Sequence, residues 1–161
     1  MLGRGRAGRS AGSAPLFARA IRIGKVEMMT LDRRKQSARP LTVTDPVILI
    51  RINRLYRDGM TEDELYDATR SCWKLGSRRN LAKYALAVFE GVVREVYEIA
   101  GWHEGGSTPC KSGIHKKPRT ERRWEFTGQK AEDSVRSRYV GRSVAGYFTQ
   151  GQQNPVKYVN V

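Results

Sequence analysis

Apolar runs separated by turn residues predict the strands of a single sheet. Residues 47–52 are mostly β-branched and residues 84–89 are apolar throughout, a pattern typical of strands covered on both faces. Glu90–Gly91 then turns the chain into an alternating run over 92–99, so these two strands are predicted to form a hairpin. Two later segments, 122–127 and 155–159, have the composition of further strands.

One main helix is predicted between the first two strands. Thr61 and Glu64 have the T-x-x-E spacing of a capping box, and Gly76 is a suitable stop. The apolar positions that recur at helical spacing, and so predict its buried face, are Leu65, Ala68, Cys72 and Leu75. A shorter helix is predicted over 131–138.

The element order is therefore β-α-β-β-β-(α)-β, in which strands outnumber helices. This order predicts an α+β fold: a small mixed, mostly antiparallel β-barrel with one main helix packed across it. Residues 103–120 are rich in Gly, Pro, Ser and Lys, and we expect a mobile loop there. We assign residues 41–161 to this single domain.

The first 40 residues differ from the rest in composition. They hold ten Lys and Arg against two acids and are rich in Gly, Ala and Ser, so we expect a disordered basic extension. Three explanations stay open. The segment is a basic arm for phosphate backbones, an organelle transit peptide, or an over-extended gene start with Met28 or Met29 as the true start.

Charge narrows the class of partner. The 161 residues carry 30 Lys and Arg against 16 acids, a formal net charge of +14, of which residues 41–161 contribute +6. Such an excess indicates a polyanionic partner, DNA or RNA. No apolar run is long enough to span a membrane, so no membrane partner is expected. Two cysteines are too few for a disulfide scaffold, which favours a cytoplasmic location.

Motifs for catalysis or metal binding are missing from the sequence. It contains no Walker A loop, no G-x-G-x-x-G and no H-E-x-x-H. His103, Cys110 and His115, even with Cys72, match no zinc spacing, so neither a metal nor another cofactor is expected. Binding is therefore favoured over catalysis.

Three tryptophans from three elements stand near basic residues, an arrangement typical of base stacking beside phosphate contacts. For each of Trp73, Trp102 and Trp124 a core position is the favoured explanation, and Trp73, at a helix end before a basic loop, is the best site candidate. The candidate phosphate contacts are Arg70, Lys74, Arg78, Arg79, Lys116, Lys117, Arg122 and Arg123. A solvated loop explains the Arg78–Arg79 pair equally well and is the favoured explanation of the lysine pair. Ser143, Tyr147 and Asn154 lie in predicted turns near the end of the sequence. Their polar side chains could contact the edge of a ligand, and capping or turn roles explain them equally well.

The stretch from the first strand through a helix, a Trp, a basic loop and the hairpin YALAVFEGVVREVYEI resembles the PUA-like superfamily of small β-barrels, which includes PUA, ASCH, EVE and YTH domains. The resemblance covers about residues 45–130 and rests on element order. It implies a cleft beside the helix that accepts a nucleobase, often a modified one. Trp73 and Trp102 would then be its walls, and Asn80 or Ser143 would contact the base edge.

The leading prediction is a nucleic-acid-binding domain, with basic loops on phosphates and an aromatic cleft for a base, possibly modified. One alternative is a small enzyme acting on nucleic acid or nucleotides, which needs converging carboxylates or a histidine. Another is a protein–protein adaptor of a defence or toxin–antitoxin system, which needs an exposed apolar patch.

Overall fold

The computed structural model describes residues 40–115 and 120–161, which belong to one compact unit. The predicted extension, residues 1–40, lies outside this part of the chain except for Pro40, which forms an isolated bridge with Ser143. Lys116 and Lys117 also lie outside it. No helix within the two described ranges has the length and apolar character needed to cross a bilayer.

The fold is a mixed α+β arrangement, as predicted. The elements in chain order are β1 (Val47–Arg51), α1 (Glu62–Arg70), β2 (Tyr84–Phe89), β3 (Val92–Glu104), β4 (Trp124–Lys130), α2 (Asp133–Tyr139) and β5 (Val156–Val159). Short 3-10 turns cover Ser77–Leu81 and Ala145–Tyr147. The sheet order is β4-β3-β2-β1-β5, with β1 and β2 parallel and the other neighbours antiparallel.

Two apolar cores lie on opposite faces of this sheet, which explains the continuous apolar runs of β1 and β2. Val47 and Leu49 join the first core, under α2, where Val135 and Tyr139 pack. Ile48 and Ile50 alternate with them and join the second core, under α1. Each fully buried Val, Leu or Ile side chain contributes roughly 1.5–3 kcal/mol.

Helix α1 begins as predicted and ends earlier than predicted. Thr61 accepts the amide of Glu64 at 3.2 Å, and the Glu64 carboxylate accepts the amide of Thr61 at 2.9 Å, so the capping box is confirmed. The helix stops at Arg70 rather than Gly76, because Ser71 is extended and Trp73 forms reciprocal 2.8 Å backbone hydrogen bonds with Trp124. Sheet pairing has replaced the last predicted helical turn.

Closure of the sheet into a barrel is not confirmed. β4 and β5 are its two edges, and they do not pair within the described residues. The segment after α1 lies between these edges instead. Trp73 extends the pairing of β4, while Arg78, in the 3-10 turn, donates to the carbonyl of Val161 at 2.6 Å, just beyond β5. The opening is therefore crossed by loop backbone and side chains.

The predicted hairpin is present, and its second strand runs beyond the predicted 92–99, through Trp102 to Glu104. The fourth strand starts two residues later than predicted, because Arg122 has a left-handed φ of 53°. The described part of the predicted 103–120 loop is anchored to the rest of the fold. Buried carboxylates hold the backbone of Gly106, Thr108 and Ser112 by hydrogen bonds.

Candidate functional site: a basic pocket in the sheet opening

A pocket of about 760 Å³ opens between the end of β1, the segment after α1 and the start of β5. We call it the basic pocket; its lining residues are 51–55, 71–74 and 153–156, together with His115 and Arg123. It therefore lies in the sheet opening, between the β4-paired segment and β5. A volume of several hundred cubic ångströms is typical of a small-molecule or nucleotide site.

Four cations line the basic pocket, and none of its described lining residues carries a carboxylate. Arg54 and Lys74 are exposed and have no ion-pair or hydrogen-bond partner among the described side chains. Arg123 donates to the carbonyl of Cys72 at 3.0 Å, and Arg51 donates to the carbonyl of Asn154 at 2.7 Å. Their partners are neutral carbonyls, so the positive charge of the lining stays uncompensated, and the pocket attracts anions.

Trp73 forms an aromatic part of the pocket wall. Its indole nitrogen donates to the carbonyl of Thr69 at 2.7 Å, and its backbone pairs with Trp124. The ring is half-buried against the second core, so its orientation is fixed from both sides. A rigid indole beside unpaired cations is a suitable surface for stacking a base whose phosphate those cations contact.

A buried ionic network supports the wall from behind. Asp67, Arg70 and Glu125 are each at most 2% exposed. Arg70 Nε donates to Asp67 at 2.7 Å, and Arg70 Nη1 lies 3.9 Å from Glu125. The same guanidinium donates to Thr108 Oγ1 at 2.5 Å and to the Pro109 carbonyl at 2.6 Å. Arg70 therefore joins α1, β4 and the loop after β3.

Both buried carboxylates stay ionised because of their hydrogen bonds. Burial raises the pKa of Asp67, but the bonds from Arg70 and Ser112 outweigh it, so that this pKa lies below its ordinary value. Burial likewise raises the pKa of Glu125, and the bonds from Thr108 and Gly106 bring it below its ordinary value. The network thus carries a net negative charge behind the lining, where Glu125 accepts the Cys72 thiol.

His115 reaches the pocket from the anchored loop. Its Nε2 lies 2.9 Å from the backbone carbonyl of Asp67. Because a carbonyl only accepts, Nε2 is the donor of this hydrogen bond. Cys72 is also in the lining, and burial and then the neighbouring Glu125 raise the pKa of its thiol, which favours the protonated form.

The structure brings together some of the predicted site residues. Trp73, Lys74 and Arg123 line the basic pocket. Arg70 lies in the interior, where its donors serve the network, so it is no part of an exposed basic surface. Arg79 stacks on Trp124, and Arg78 stacks over Tyr158, so both guanidiniums are engaged by the protein itself. Predicted residues outside the lining are Trp102, Trp124, Asn80, Ser143, Arg78, Arg79 and Arg122.

Two predicted site residues lie outside the pocket lining: Trp102, the second wall of the predicted cleft, and Ser143, a predicted contact to the base edge. Trp102 packs edge-on against Phe126, with 5.5 Å between ring centres, in the second core. Ser143 forms isolated bridges with Pro40 and with Val92 at the start of β3, before the part of β3 that pairs with β4, and its neighbour Val144 belongs to the first core. Asn80 is exposed in the 3-10 turn. A cage of Trp73 with Trp102 is therefore not formed around the pocket.

Residues that the sequence did not single out complete the site. Arg51, Asn53 and Arg54 form the polar, basic end of β1, and that clustering was the available signal. Asn154 lies in a turn before β5, where a turn role explained it equally well. Within the described ranges, no group of three His, Cys, Asp or Glu side chains is arranged to hold a metal ion.

Comparison with known proteins does not add a relative. No protein-family model matches the chain, and no curated protein or solved structure matches it significantly. The function is therefore argued from the basic pocket itself.

Proposed function

We propose that this protein binds nucleic acid, DNA or RNA, and that the basic pocket receives one nucleotide unit of it. The observation that carries the proposal is the lining: Arg54, Lys74 and Arg123 beside the fixed ring of Trp73, without a described carboxylate. Cations of this kind contact phosphates, and an aromatic face stacks on an unpaired base, worth about 1–3 kcal/mol per base. The net charge of +14 agrees with a polyanionic partner.

The resemblance to PUA-like domains stays a prediction, and it fits this proposal in one respect. The second core holds residues of all five strands, and the segment after α1 crosses the opening between β4 and β5. An open sheet whose gap is crossed by a loop would be an incomplete relative of a small barrel. Recognition of a modified base is likewise a prediction that rests on this resemblance.

The two alternatives have less support. An enzyme on nucleic acid needs converging carboxylates or a histidine; the described lining has no carboxylate, and its one histidine, His115, uses Nε2 to bond the Asp67 carbonyl. An adaptor needs a broad apolar patch, whereas the large apolar side chains that are exposed in the described part, Leu81 and Val140, lie in different elements.

Fluorescence anisotropy with the full chain tests the proposal. Labelled single- and double-stranded DNA and RNA would be titrated at two salt concentrations against wild type, Arg54→Gln, Lys74→Gln and the control Arg142→Gln. Arg142 lies outside the lining, so each variant loses one charge but only two lose a pocket cation. The basic segment 1–39 is present in all four proteins, so differences between them report the pocket.

We expect the pocket variants to bind more weakly and their salt slopes to shrink by about 0.7 per lost contact on single strands. The control should follow wild type. Equal losses in all three variants would place binding outside the pocket, and an absence of salt-dependent binding would refute the proposal altogether.

A further inference from the structure

The two asparagines of the basic pocket have fixed amide orientations. Asn53 Oδ1 accepts the backbone amide of Glu90 at 3.2 Å, and Asn154 Oδ1 accepts the backbone amide of Val156 at 3.0 Å. Since a backbone N–H only donates, the oxygen end of each side chain is identified by its partner. Each Nδ2 group is left as a pair of donors, with no partner among the described residues.

Several backbone carbonyls of the same lining accept hydrogen bonds within the protein. The carbonyl of Ile52 accepts the amide of Leu55, and that of Pro155 accepts the amide of Arg51. The carbonyl of Cys72 accepts Arg123, and that of Asn154 accepts Arg51. Among the side chains at the β1 and β5 side, the two asparagine amides and the neighbouring guanidiniums present donors, and we call this the donor-rich side.

His115 lies in another part of the lining, with Cys72 and Arg123. Its Nε2 donates to the Asp67 carbonyl, so this nitrogen is occupied within the protein. The exposed Gln153 side chain has no hydrogen-bond partner among the described residues that would fix its orientation. The fixed amides of the donor-rich side are therefore the groups that can discriminate between bases.

We propose that the basic pocket selects guanine, with Asn53 and Asn154 as the specificity residues; this inference rests on the proposed function. Guanine presents two neighbouring acceptors, N7 and O6, on one edge, and N1–H and N2–H₂ donors on the other. Adenine replaces O6 with the N6 donor, and cytosine presents the N4 donor. Both would bring a donor against the donor-rich side and leave a hydrogen bond unmade.

The test uses short single strands of abasic nucleotides that carry one central base, so that all strands offer the same phosphates. The central base is guanine, adenine, cytosine or 7-deazaguanine, which lacks the N7 acceptor. We expect wild type to bind the guanine strand about 5- to 150-fold more tightly than the adenine strand, the ratio that about 1–3 kcal/mol gives. The 7-deazaguanine strand should lie between the two.

Asn53→Asp supplies the decisive variant. Its Oδ1 still accepts the Glu90 amide, while the donor group becomes an acceptor oxygen, so the guanine preference should fall towards one or invert. Arg54→Gln changes the net charge by the same amount without altering the amides. Arg54→Gln should weaken the binding of the guanine strand and of the adenine strand by a similar factor, so that the ratio of the two affinities stays unchanged. Asn53 and Asn154 are exposed, so Asn154→Asp is an equally safe second variant.

The outcomes separate the two proposals. Equal binding of guanine and adenine strands by wild type, or a ratio unchanged in both asparagine variants, would overturn guanine selection and leave nucleic-acid binding intact. If no strand binds in a way that depends on salt and on Lys74, the proposed function is overturned as well.

Discussion

The guanidinium carbon of Arg79 lies 3.4 Å from the ring centre of Trp124. Arg79 also donates to the carbonyl of Gly76 at 2.9 Å, within the loop that follows α1. On the other side of the opening, the Arg78 guanidinium lies 5.2 Å from the ring centre of Tyr158. Consecutive arginines thus contact an aromatic residue on each edge strand, and they hold the segment that forms one wall of the basic pocket.

Replacement of Arg79 should therefore lower the free energy of unfolding and have little effect on the affinity for nucleic acid. We expect Arg79→Ala to lower the free energy of unfolding by about 0.5–2 kcal/mol, the range of a cation–π contact from exposed to desolvated. Arg79→Lys should recover part of the loss, because an ammonium keeps the charge without planar stacking. Urea denaturation measures this, with Arg142→Ala as the control. A larger loss of affinity in Arg79→Ala than in Arg54→Gln would assign Arg79 to the ligand instead.

The buried carboxylates predict a loss of stability in acid. The pKa values of Asp67 and Glu125 are lower in the folded protein than their ordinary values, so the unfolded chain binds protons first as the pH falls. Their contribution is fully present above about pH 4–5, near their ordinary pKa values. It is lost as the pH falls below that range and through the folded values.

Urea denaturation between neutral pH and about pH 3 follows this loss, since the carboxyls titrate in that range. Glu125→Gln should be less stable at neutral pH and should show a shallower decline in acid than wild type. Parallel pH profiles for the two proteins would contradict the role given to Glu125.

Arg70 holds the network together, and its replacement should be costly. Arg70→Met leaves two buried carboxylates without their cation, for which we expect a loss of about 3–5 kcal/mol. The combination Arg70→Met with Asp67→Asn and Glu125→Gln should recover part of that loss, because no buried charge is left unpaired. Hydrogen exchange at the amides of Gly106 and Thr108 should accelerate in Arg70→Met, since they bond to Glu125. Unchanged exchange there would show that the loop is held by other contacts.

Trp73 and Trp102 should respond in opposite ways to replacement. Trp73→Ala removes the stacking surface, so we expect affinity for single strands to fall by about 5- to 150-fold. Trp73→Leu should retain most of the contact with the core while losing the stacking. Trp102→Leu should lower stability and leave the affinity of the folded protein unchanged, because the Trp102 ring packs on Phe126 away from the lining. Anisotropy and thermal denaturation on the same samples separate the two effects.

Gly128 marks a point of close approach between β3 and β4. A Cβ atom placed there would lie 2.1 Å from the carbonyl oxygen of Glu98. Gly128→Ala should therefore displace the strand pairing and destabilise the protein, by more than the few tenths of a kcal/mol expected at a permissive strand position. Gly76→Ala is the control, since nothing lies within 4 Å of its added Cβ. Equal stability of both variants would contradict the close approach.

Local patterns predicted most of the fold and part of the site. The capping box of Thr61 and the Glu90–Gly91 turn depend on residues a few positions apart, so the sequence alone identified them. The early end of α1 depends on Trp73 pairing with Trp124, 51 positions away, and no local signal reports such a contact. The burial of Arg70 likewise depends on distant residues. Asp67 lies only three positions away, but Thr108, Pro109 and Glu125, which complete its surroundings, are far along the chain.

The basic pocket draws its walls from both ends of the described domain, from Arg51 near its start to Val156 near its end. During synthesis, β1, α1 and the hairpin are made well before β5, so the cavity forms only after residues 153–156 are present and β5 has paired with β1. A chain interrupted before β5 would keep the hairpin and α1 but would lack one side of the pocket.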